Sequence, residues 1–490
     1  MTLLATAVFA VALAKGSFVA GGSDSYGYVS QARLWAQGTP ITREPLIAQV
    51  TWPDAPMTLS PLGYKPGREH GTIVPVYSVG YPMLMGLIER LFGAAAPMVV
   101  VPLMAGGLVT CTAIIGAAVG GIEIGFFSGL LLATSPPFVY QSLQPMSDVP
   151  VAFWWTLSAV LAISRRRAAN IAAGATVAAA ILTRPNLVPL AAPLALLGFV
   201  SHRDNHRDRW TAAAAIGIGA VLGAAGTAAV NTIFYGAPAL SGYGDPRELY
   251  AFQYLATNVT RYVGWLIDTE TLLIAGSLGG MLALARAGRF QRSMAFYTAA
   301  MVSIVLISYA LYRPFDSWTY VRFLLPMYPF LFVSLLSVTL IDPLRNRRTM
   351  SRVILVALAL IITARHVRYN QEWSLLDTKT FERRYVVVAQ YARNAFPGNA
   401  VFISMQHSGS VRYYGDRKTV RYDWLPSQSL DDAVADLNRL GLKPYFLLED
   451  WEEERFQSRF GAYSRLGKLD WPPTVVLRRE GIRIYDPAER

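Results

Sequence analysis

Residues 21–37 read GGSDSYGYVSQARLWAQ and follow directly on an apolar segment, Met1–Ala20. That segment is long enough to cross a bilayer, so it places one carboxylate, Asp24, where a membrane span would reach the surface. Aromatic and amphipathic residues follow Asp24 in place of a second span. A lone carboxylate at a membrane rim is the arrangement expected where a polar reaction is performed on a lipid-held substrate.

Long apolar runs continue beyond this stretch to about residue 363 and then stop. The 490-residue chain is 53% hydrophobic and only 16% charged, and its mean hydropathy of +0.33 exceeds that of a soluble protein of this length. Lys15 lies where the apolar core of a signal peptide should be, which favours a retained first span. The composition therefore predicts a polytopic membrane domain followed by a water-soluble one.

The number of spans follows from the roughly 20 residues that each crossing requires, which gives about eleven. They are predicted near residues 1–20, 97–117, 122–140, 147–163, 168–183, 186–200, 211–232, 263–285, 293–312, 321–341 and 352–365. The predicted fold is thus a mainly α transmembrane helical bundle, residues 1–365, with a small C-terminal α/β domain, residues 366–490.

The net charge of +12 arises mainly in short loops between the apolar runs. The positive-inside rule explains these Lys and Arg residues better than nucleic-acid binding does, and it assigns their loops to the cytoplasm. The basic loops are Arg165–Arg167, His202–Arg209, Arg286 with Arg289 and Arg292, and Arg345–Arg352. By alternation, the outer face of the cell (inner or plasma) membrane receives residues 21–96, Asp148, Arg184, residues 233–262 and 313–320, and the C-terminal domain.

The long outer loop, residues 21–96, contains two amphipathic segments, 25–37 and 80–92, which predict helices lying along the membrane surface. Residues 38–79 between them are rich in Pro and Gly and carry Lys65 and Arg68. That composition is typical of an ordered but irregular binding loop.

From about residue 381 short β-rich runs alternate with helical ones. Strands are predicted at 400–404, 444–448, 474–477 and 482–485, and a helix at 429–440 opens with a capping box of Ser429 and Asp432. The alternation predicts a small α/β domain with a mixed or parallel sheet. It holds no Gly-rich phosphate loop and no paired-histidine metal spacing, so no chemistry is assigned to it.

Three pieces of the outer face resemble one family. Asp24 after the first span, Ser147-Asp148 in SPPFVYQSLQPMSD after the third, and RFLLP from Arg322 entering the tenth are similar to motifs of GT-C fold glycosyltransferases. These polytopic enzymes use polyprenyl-phosphate sugars and include the aminoarabinose transferases of lipid A and the protein O-mannosyltransferases. The Gly80-Tyr81-Pro82 stretch is similar to their surface helix, and the resemblance covers roughly residues 1–340.

The resemblance implies that Asp24 is the catalytic carboxylate and Asp148 a second acidic position close to it in space. A carboxylate within hydrogen-bond reach can take the proton of an attacking hydroxyl, which agrees with that role. Each aspartate also has a simpler interpretation as the N-cap of the helix that follows it. Protein O-mannosyltransferases carry Asp-Glu at the first position, whereas Ser25 follows Asp24 here, which favours a lipid or glycan acceptor over a protein.

Four basic residues of the outer face are candidates to bind the donor phosphate: Lys65, Arg68, Arg184 and Arg322. Pro185 fixes the backbone of Arg184 at the rim, and Arg322 offers the forked geometry that phosphate oxygens fit. The alternative for each is snorkelling toward lipid head groups. The leaving phosphate is already a stable anion that cations can offset, so no metal and no cofactor are expected.

Other polar residues are expected to have structural or solvated roles. Residues 236–250 hold several tyrosines and prolines and either line an acceptor groove or form a solvated loop, of which the second is favoured. Asn258-Val259-Thr260 is a glycosylation sequon by pattern alone, His70 and His407 are expected on the surface, and Cys111 in the core.

The expected function is transfer of a sugar from a polyprenyl-phosphate donor to a lipid or glycan acceptor on the outer face, with inversion and with Asp24 as general base. Donor, acceptor and membrane lipids are the expected partners. The alternatives are a lipid-linked-glycan flippase or transporter, and a ligase of whole glycan chains. A flippase requires charged residues within the spans, and the sequence shows almost none beyond Lys15 and Glu123 near span ends.

Overall fold

A computed structural model describes residues 1–164, 166–202, 206–341 and 347–490. Arg165 and parts of two basic loops that assign the cytoplasmic side, residues 203–205 and 342–346, lie outside the described residues. The described chain is mainly helical from its start to Glu372 and acquires a five-stranded sheet after that point.

Most helices of the first part correspond to predicted apolar segments, but the predicted single spans 122–140 and 263–285 are each divided by a bend. The helices are α1 (Thr2–Lys15), α2 (Asp24–Gln37), α3 (Gly80–Phe92), α4 (Val100–Gly120), α5 (Ile122–Thr134), α6 (Pro136–Ser142), α7 (Asp148–Ala162), α8 (Arg167–Thr183), α9 (Ala191–Ser201), α10 (His206–Tyr235), α11 (Leu255–Glu270), α12 (Gly276–Ala287), α13 (Arg289–Ala310), α14 (Tyr328–Leu336) and α15 (Arg348–Glu372). A 3-10 helix, Trp318–Met327, leads directly into α14.

Within the described residues five helices are long and apolar enough to cross a membrane, or up to seven if each bent pair counts as one. The bent pairs are α5–α6, which turn by 65° at Ser135, and Phe252–Glu270 with Leu272–Ala287, which turn by 110° at Thr271. Four further apolar helices, α1, α7, α8 and Pro185–Ser201, are shorter. The polytopic helical architecture agrees with the sequence, while the count of about eleven spans stays a prediction.

The centre and the edge of the bundle differ in burial. Within the most apolar 18-residue stretch of Trp318–Leu340, 83% is buried inside the protein, whereas the buried share of the corresponding stretch of Arg207–Tyr235 is 17%. Ile218, Val221 and Leu222 of α10 are among its exposed apolar side chains. An exposed helix that is apolar on most sides suits contact with lipid, which places α10 at the periphery.

The starts of α13 and α15, which belong to two of the predicted basic segments, lie at one end of the bundle. Arg352 at the start of α15 pairs with Glu123 at 2.8 Å, and the amide of Gln291 donates to the carbonyl of Val119 at 3.2 Å. The turn at residues 118–121 therefore lies beside the first turns of α13 and α15, which carry Arg289, Arg292, Arg348 and Arg352. This common end agrees with the predicted grouping of those loops on one side.

The outer loop is more regular than its composition suggested. Helix α2 ends at Gly38, which has a left-handed backbone (φ 74°) and donates its N–H to the carbonyls of Leu34 and Trp35. Helix α3 has the predicted bounds. Between them β1 (Thr42–Arg43), β2 (Tyr64–Pro66) and β3 (Thr72–Pro75) form an antiparallel sheet in the order β1-β3-β2. The exposed Met83, Leu87, Leu91 and Phe92 give α3 an apolar face suited to the membrane surface.

The C-terminal part contains a mixed sheet, as predicted. Its strands are β4 (Ala400–Ile403), β5 (Lys418–Val420), β6 (Lys443–Glu449), β7 (Val475–Leu477) and β8 (Ile482–Tyr485), and its main helices are α16 (Thr378–Ala395), α17 (Ser408–Gly415), α18 (Leu430–Arg439) and α19 (Asp450–Phe460). The order is β5-β4-β6-β8-β7, with β5, β4 and β6 parallel and the other pairs antiparallel. The crossovers through α17 and α18 account for the parallel half.

Two local predictions for this part were wrong or incomplete. Ser429 precedes α18 but its side chain makes no capping bond, whereas Glu449 and Glu452 form a capping box at α19. Strand β5 was not predicted, because only three residues pair there.

The division proposed after residue 365 falls inside α15, which continues to Glu372, so the domain boundaries stay a prediction.

The C-terminal domain rests on the outer loop through polar contacts. Buried Glu44 pairs with Arg412 at 2.7 Å and with Lys418 at 3.3 Å. The carboxylate of Asp436 accepts hydrogen bonds from both the N–H and the hydroxyl of Thr51. The domain therefore lies on the same end of the bundle as residues 21–96.

Candidate active site

A cavity of about 660 Å³ opens at this end of the bundle. Its walls come from the first turns of α2 and α7, the ends of α8, α10 and α13, the 3-10 helix Trp318–Met327, and the loops around Tyr77 and Tyr243. Four of the six predicted site residues line it: Asp24, Asp148, Arg184 and Arg322. Segments that are far apart in sequence thus bring the predicted acids and two predicted cations together.

Asp24 occupies the first turn of α2, but it does not cap that helix. Its Oδ2 accepts a hydrogen bond from Nη2 of Arg322 at 2.6 Å, and its Oδ1 accepts one from the Tyr77 hydroxyl at 2.7 Å. The side chain is 28% exposed, so it is reachable from the cavity. The helix-cap interpretation of Asp24 was therefore wrong.

Tyr77 is a site residue that the sequence analysis missed. Its hydroxyl bridges Asp24 and the Ser23 hydroxyl, the latter at 2.8 Å. A Cβ on Gly27 would lie 2.0 Å from the Tyr77 ring, so the glycine leaves the space in which the ring packs against α2. The only signal in the sequence was Gly27 itself, an unusual residue for the first turns of a helix.

Opposing effects decide the charge of Asp24. Burial favours the neutral acid, but the adjacent Arg322 and the hydrogen bonds from Tyr77 and Arg322 outweigh it and lower the pKa of Asp24 below its ordinary value. Burial raises the pKa of Tyr77 well above its ordinary value, so that residue remains a hydrogen-bond donor. Asp24 is consequently an anion at neutral pH.

The second acid forms a similar pair across the cavity. Nη2 of Arg184 contacts Oδ1 of Asp148 at 2.6 Å and the Ser147 hydroxyl at 3.5 Å. The Ser147 hydroxyl also shares a hydrogen bond with the Tyr28 hydroxyl at 2.7 Å, which links α7 to α2. No capping bond is made at the start of α7, so the cap interpretation of Asp148 was also wrong.

Both arginines are held over aromatic rings and keep unused donors. The guanidinium carbons of Arg184 and Arg322 lie 5.2 Å and 5.3 Å from the Phe323 ring centre. Nη1 of Arg184 and Nε of Arg322 are buried and make no hydrogen bond within the described part of the chain. Buried guanidinium donors beside a cavity are suited to an anionic ligand.

The rest of the cavity wall is strongly aromatic. It includes Tyr243, Tyr250, Tyr309, Tyr312, Phe315 and Tyr320. Residues 236–250 have features of both alternatives, because Ser241–Tyr243, Pro246, Leu249 and Tyr250 face the cavity while Gly236, Arg247 and Glu248 are exposed. Aromatic faces beside polar groups are suited to binding a sugar ring.

Two predicted phosphate-binding residues lie outside the cavity lining. Lys65 stands over the ring of Tyr235 at 5.0 Å, and that ring forms part of the wall. The N–H of Arg68 donates to the carbonyl of Phe234. A third cation, the exposed Arg313, lines the cavity and was missed, although its loop had been assigned to the outer face.

Some of the minor expectations were corrected. His407 is fully buried and shares a hydrogen bond with Glu449 at 3.0 Å, so it is no surface residue. Asn258 is also buried, and its amide donates to the carbonyls of Tyr309 and Tyr312, which ties α11 to the cavity wall. His70 is exposed and Cys111 is buried, as predicted.

The expectation that charged residues are almost absent from the spans was wrong. Glu270, at the break after α11, is fully buried and contacts His366 of α15 at 2.8 Å. The other oxygen of Glu270 accepts from the Ser135 hydroxyl at the α5–α6 break. Neither residue of the pair lines the cavity, so the pair joins two broken helices to α15.

Among the residues that the structure describes, no three His, Cys, Asp or Glu side chains are grouped as metal ligands would be. The expectation that no metal is needed remains a prediction.

Comparison of the sequence matches no protein family and no curated protein. The structure matches ArnT from Cupriavidus metallidurans bound to undecaprenyl phosphate, with a TM-score of 0.60 and 13% identity over 98% of this chain and 97% of that chain. It also matches the oligosaccharyltransferase AglB from Archaeoglobus fulgidus in complex with an inhibitory peptide and a dolichol-phosphate, with a TM-score of 0.54, 12% identity, and 95% and 71% of the two chains covered.

Both matches are GT-C fold membrane glycosyltransferases, and each alignment covers nearly the whole of this chain. At these identities the likeness concerns the fold. The chain therefore has the GT-C fold of polytopic membrane glycosyltransferases, the fold that the motifs around Asp24, Asp148 and Arg322 predicted.

Proposed function

We propose that the protein is an integral membrane glycosyltransferase that moves a sugar from a polyprenyl-phosphate donor to a lipid or glycan acceptor. The observation that carries this proposal is the cavity in which Asp24 and Asp148 each pair with an arginine at 2.6 Å. The solved neighbours that bind undecaprenyl phosphate and dolichol-phosphate support a lipid-phosphate donor. We place the cavity on the outer face of the inner or plasma membrane.

The proposed reaction is a single displacement with inversion at the anomeric carbon. The oxygen of the acceptor hydroxyl forms the new bond to that carbon, and the bond from carbon to the phosphate oxygen breaks. The proton of the acceptor hydroxyl passes to Asp24 as general base. The polyprenyl phosphate leaves with the electron pair, and Arg184 and Arg322 offset its added negative charge.

The other residues of the cavity have positioning roles in this proposal. Tyr77 and Arg322 orient the carboxylate of Asp24, and Asp148 holds Arg184 through their ion pair. The aromatic wall holds the sugar. Lys65, Arg68 and Arg313 are basic residues around the cavity that attract an anionic head group without touching the reacting bond.

The experiment that tests the proposal compares cells with and without the protein by mass spectrometry of envelope lipids and glycans. A sugar that is missing from one product identifies the acceptor and the donor sugar together. An unchanged set of lipids and glycans, under conditions in which the protein is made, would contradict a transferase. A whole glycan chain missing in place of a single sugar would favour the ligase alternative.

A further inference from the structure

In the proposed reaction, Arg322 interacts with two anions, the carboxylate of Asp24 and the phosphate of the donor. This inference rests on that proposed function. In the structure its strong contact is with Asp24 at 2.6 Å. Within the described residues, its Nη1 donates only to the Met146 sulfur, at 3.1 Å, and its Nε has no hydrogen-bond partner. A thioether is a weak acceptor, so most of the hydrogen-bonding capacity of this guanidinium is unused.

The pairing creates a conflict for a general base. A carboxylate in contact with an arginine binds a proton poorly, since the neighbouring cation stabilises its anionic form. Asp24 also accepts from Tyr77, so both of its oxygens are engaged. For Asp24 to take a proton efficiently, the contact with Arg322 has to weaken when the reaction occurs.

The charges of the reaction supply a reason for that change. As the hydroxyl proton reaches Asp24, the carboxylate loses its charge. At the same time the phosphate changes from a diester with one negative charge to a monoester with about −1.5 to −2. Negative charge therefore leaves one side of Arg322 and appears on the donor phosphate.

We propose that Arg322 changes partner during turnover, from Asp24 in the free protein to the phosphate of the donor and then of the departing lipid. Donor binding draws the guanidinium from Asp24 and makes the carboxylate a better base only when a donor is present. The interaction with phosphate is then stronger in the transition state than in the ground state, which is the condition for lowering the barrier. The proton on Asp24 afterwards passes to water, and the ion pair with Arg322 re-forms.

The surroundings of Arg322 fit such an exchange. The guanidinium lies over the rings of Tyr320 and Phe323 at 5.0 Å and 5.3 Å, which hold its plane while hydrogen-bond partners change. Three arginines and two aspartates line the cavity, namely Arg184, Arg313, Arg322, Asp24 and Asp148. A phosphate that enters therefore competes with two resident carboxylates for the same cations.

The test is the equilibrium binding of undecaprenyl phosphate to the purified full-length protein in detergent micelles. Asp24→Asn imitates the protonated base and removes the competitor for Arg322. We expect this variant to bind the lipid about tenfold more tightly than the parent while it loses transfer. Asp416→Asn is the matched control, because it removes a carboxylate from an exposed left-handed turn that Asn tolerates and that lies outside the cavity lining.

The gain in affinity has to depend on Arg322. In an Arg322→Gln background, Asp24→Asn should no longer tighten binding. Equal affinity of the parent and Asp24→Asn, with transfer lost only in the variant, would overturn the exchange and leave the proposed function intact. A parent that neither binds the lipid nor transfers a sugar would overturn both. If Asp24→Asn does not fold, Asp24→Ser makes the same test with a smaller neutral side chain.

Discussion

At the scale of single residues, the candidate site consists of two acids that are each held by one arginine. The two pairs have the same contact distance, 2.6 Å, but different partners around them. Asp24 also accepts a hydrogen bond from the Tyr77 hydroxyl, and its side chain is 28% exposed. The side chain of Asp148 is only 3% exposed and lies beside Ser147. In the proposed reaction, this difference favours Asp24 as the proton acceptor and Asp148 as an orienting residue.

Replacement of the base gives the first prediction. Asp24→Asn keeps the size of the side chain and removes the proton acceptor, so transfer should fall by about two orders of magnitude or more. The variant should still fold, because the Asn amide oxygen can accept a hydrogen bond from Tyr77 or Arg322, but loss of the ion pair with Arg322 should lower its thermal midpoint. Transfer is measured with a synthetic polyprenyl-phosphate sugar, and Asp148→Asn should reduce it less. Transfer at the parent rate in Asp24→Asn would remove the general-base role.

The second prediction distinguishes a forked phosphate contact from a simple positive charge. Arg322→Lys and Arg184→Lys preserve charge but lose the planar fork, so donor use should weaken markedly without loss of stability. Lys65→Ala, a change outside the cavity lining, is the comparison and should have a smaller effect. Unchanged apparent donor affinity and turnover in all three variants would exclude the phosphate clamp.

At the scale of elements, two structural devices depend on buried glutamate side chains. The first is the Glu270–His366 pair, which holds the breaks of α5–α6 and of α11 against α15. The third prediction is that His366→Phe lowers the thermal midpoint more than Glu270→Gln does, because it leaves a buried carboxylate without its partner. Circular dichroism of both variants in detergent measures this. A smaller loss in His366→Phe would show that the pair does not hold the breaks together.

The second device is the capping box of α19, and it gives the fourth prediction. Burial raises the pKa of Glu452 to about 7, so the folded domain holds this proton more tightly than the unfolded chain does. Its contribution to stability is therefore present below the ordinary pKa of the carboxyl and is lost as pH rises toward 7. Glu452→Gln should lower the thermal midpoint at pH 5 and lower it less, or raise it, at pH 8. An equal change at both pH values would contradict this account.

At the scale of the whole molecule, the C-terminal domain and the cavity share one end of the bundle. The contacts of Glu44 with Arg412 and Lys418 require the domain to lie on the side of residues 21–96. The fifth prediction is that a reporter fused after Tyr391 is active only as an extracytoplasmic reporter, with a fusion in the basic loop at Arg289 as the opposite control. Activity of the Tyr391 fusion as a cytoplasmic reporter would reverse the proposed orientation.

Much of this arrangement was predictable because local patterns determine it. The apolar runs, the amphipathic segment 80–92 and most C-terminal strands carry their signals within a few residues. Contacts between distant segments were not predictable in the same way. Nothing near Tyr77 indicates that its hydroxyl meets Asp24, and β5, at Lys418–Val420, becomes a strand only by pairing with β4. The burial of His407 likewise depends on Glu449, which lies 42 positions later in the sequence.

The ion pair between Asp24 and Arg322 also has a consequence for how the protein is made. The two residues are separated by 298 positions. At synthesis rates of about 5–20 residues per second, the ribosome needs roughly 15–60 s after Asp24 to produce its partner. Throughout that interval the carboxylate of Asp24 has no ion pair with Arg322, because Arg322 has not yet been synthesised. A nascent chain shorter than 322 residues therefore lacks one of the two partners of the ion pair. The activity proposed for this site therefore cannot begin before about two thirds of the chain has been translated.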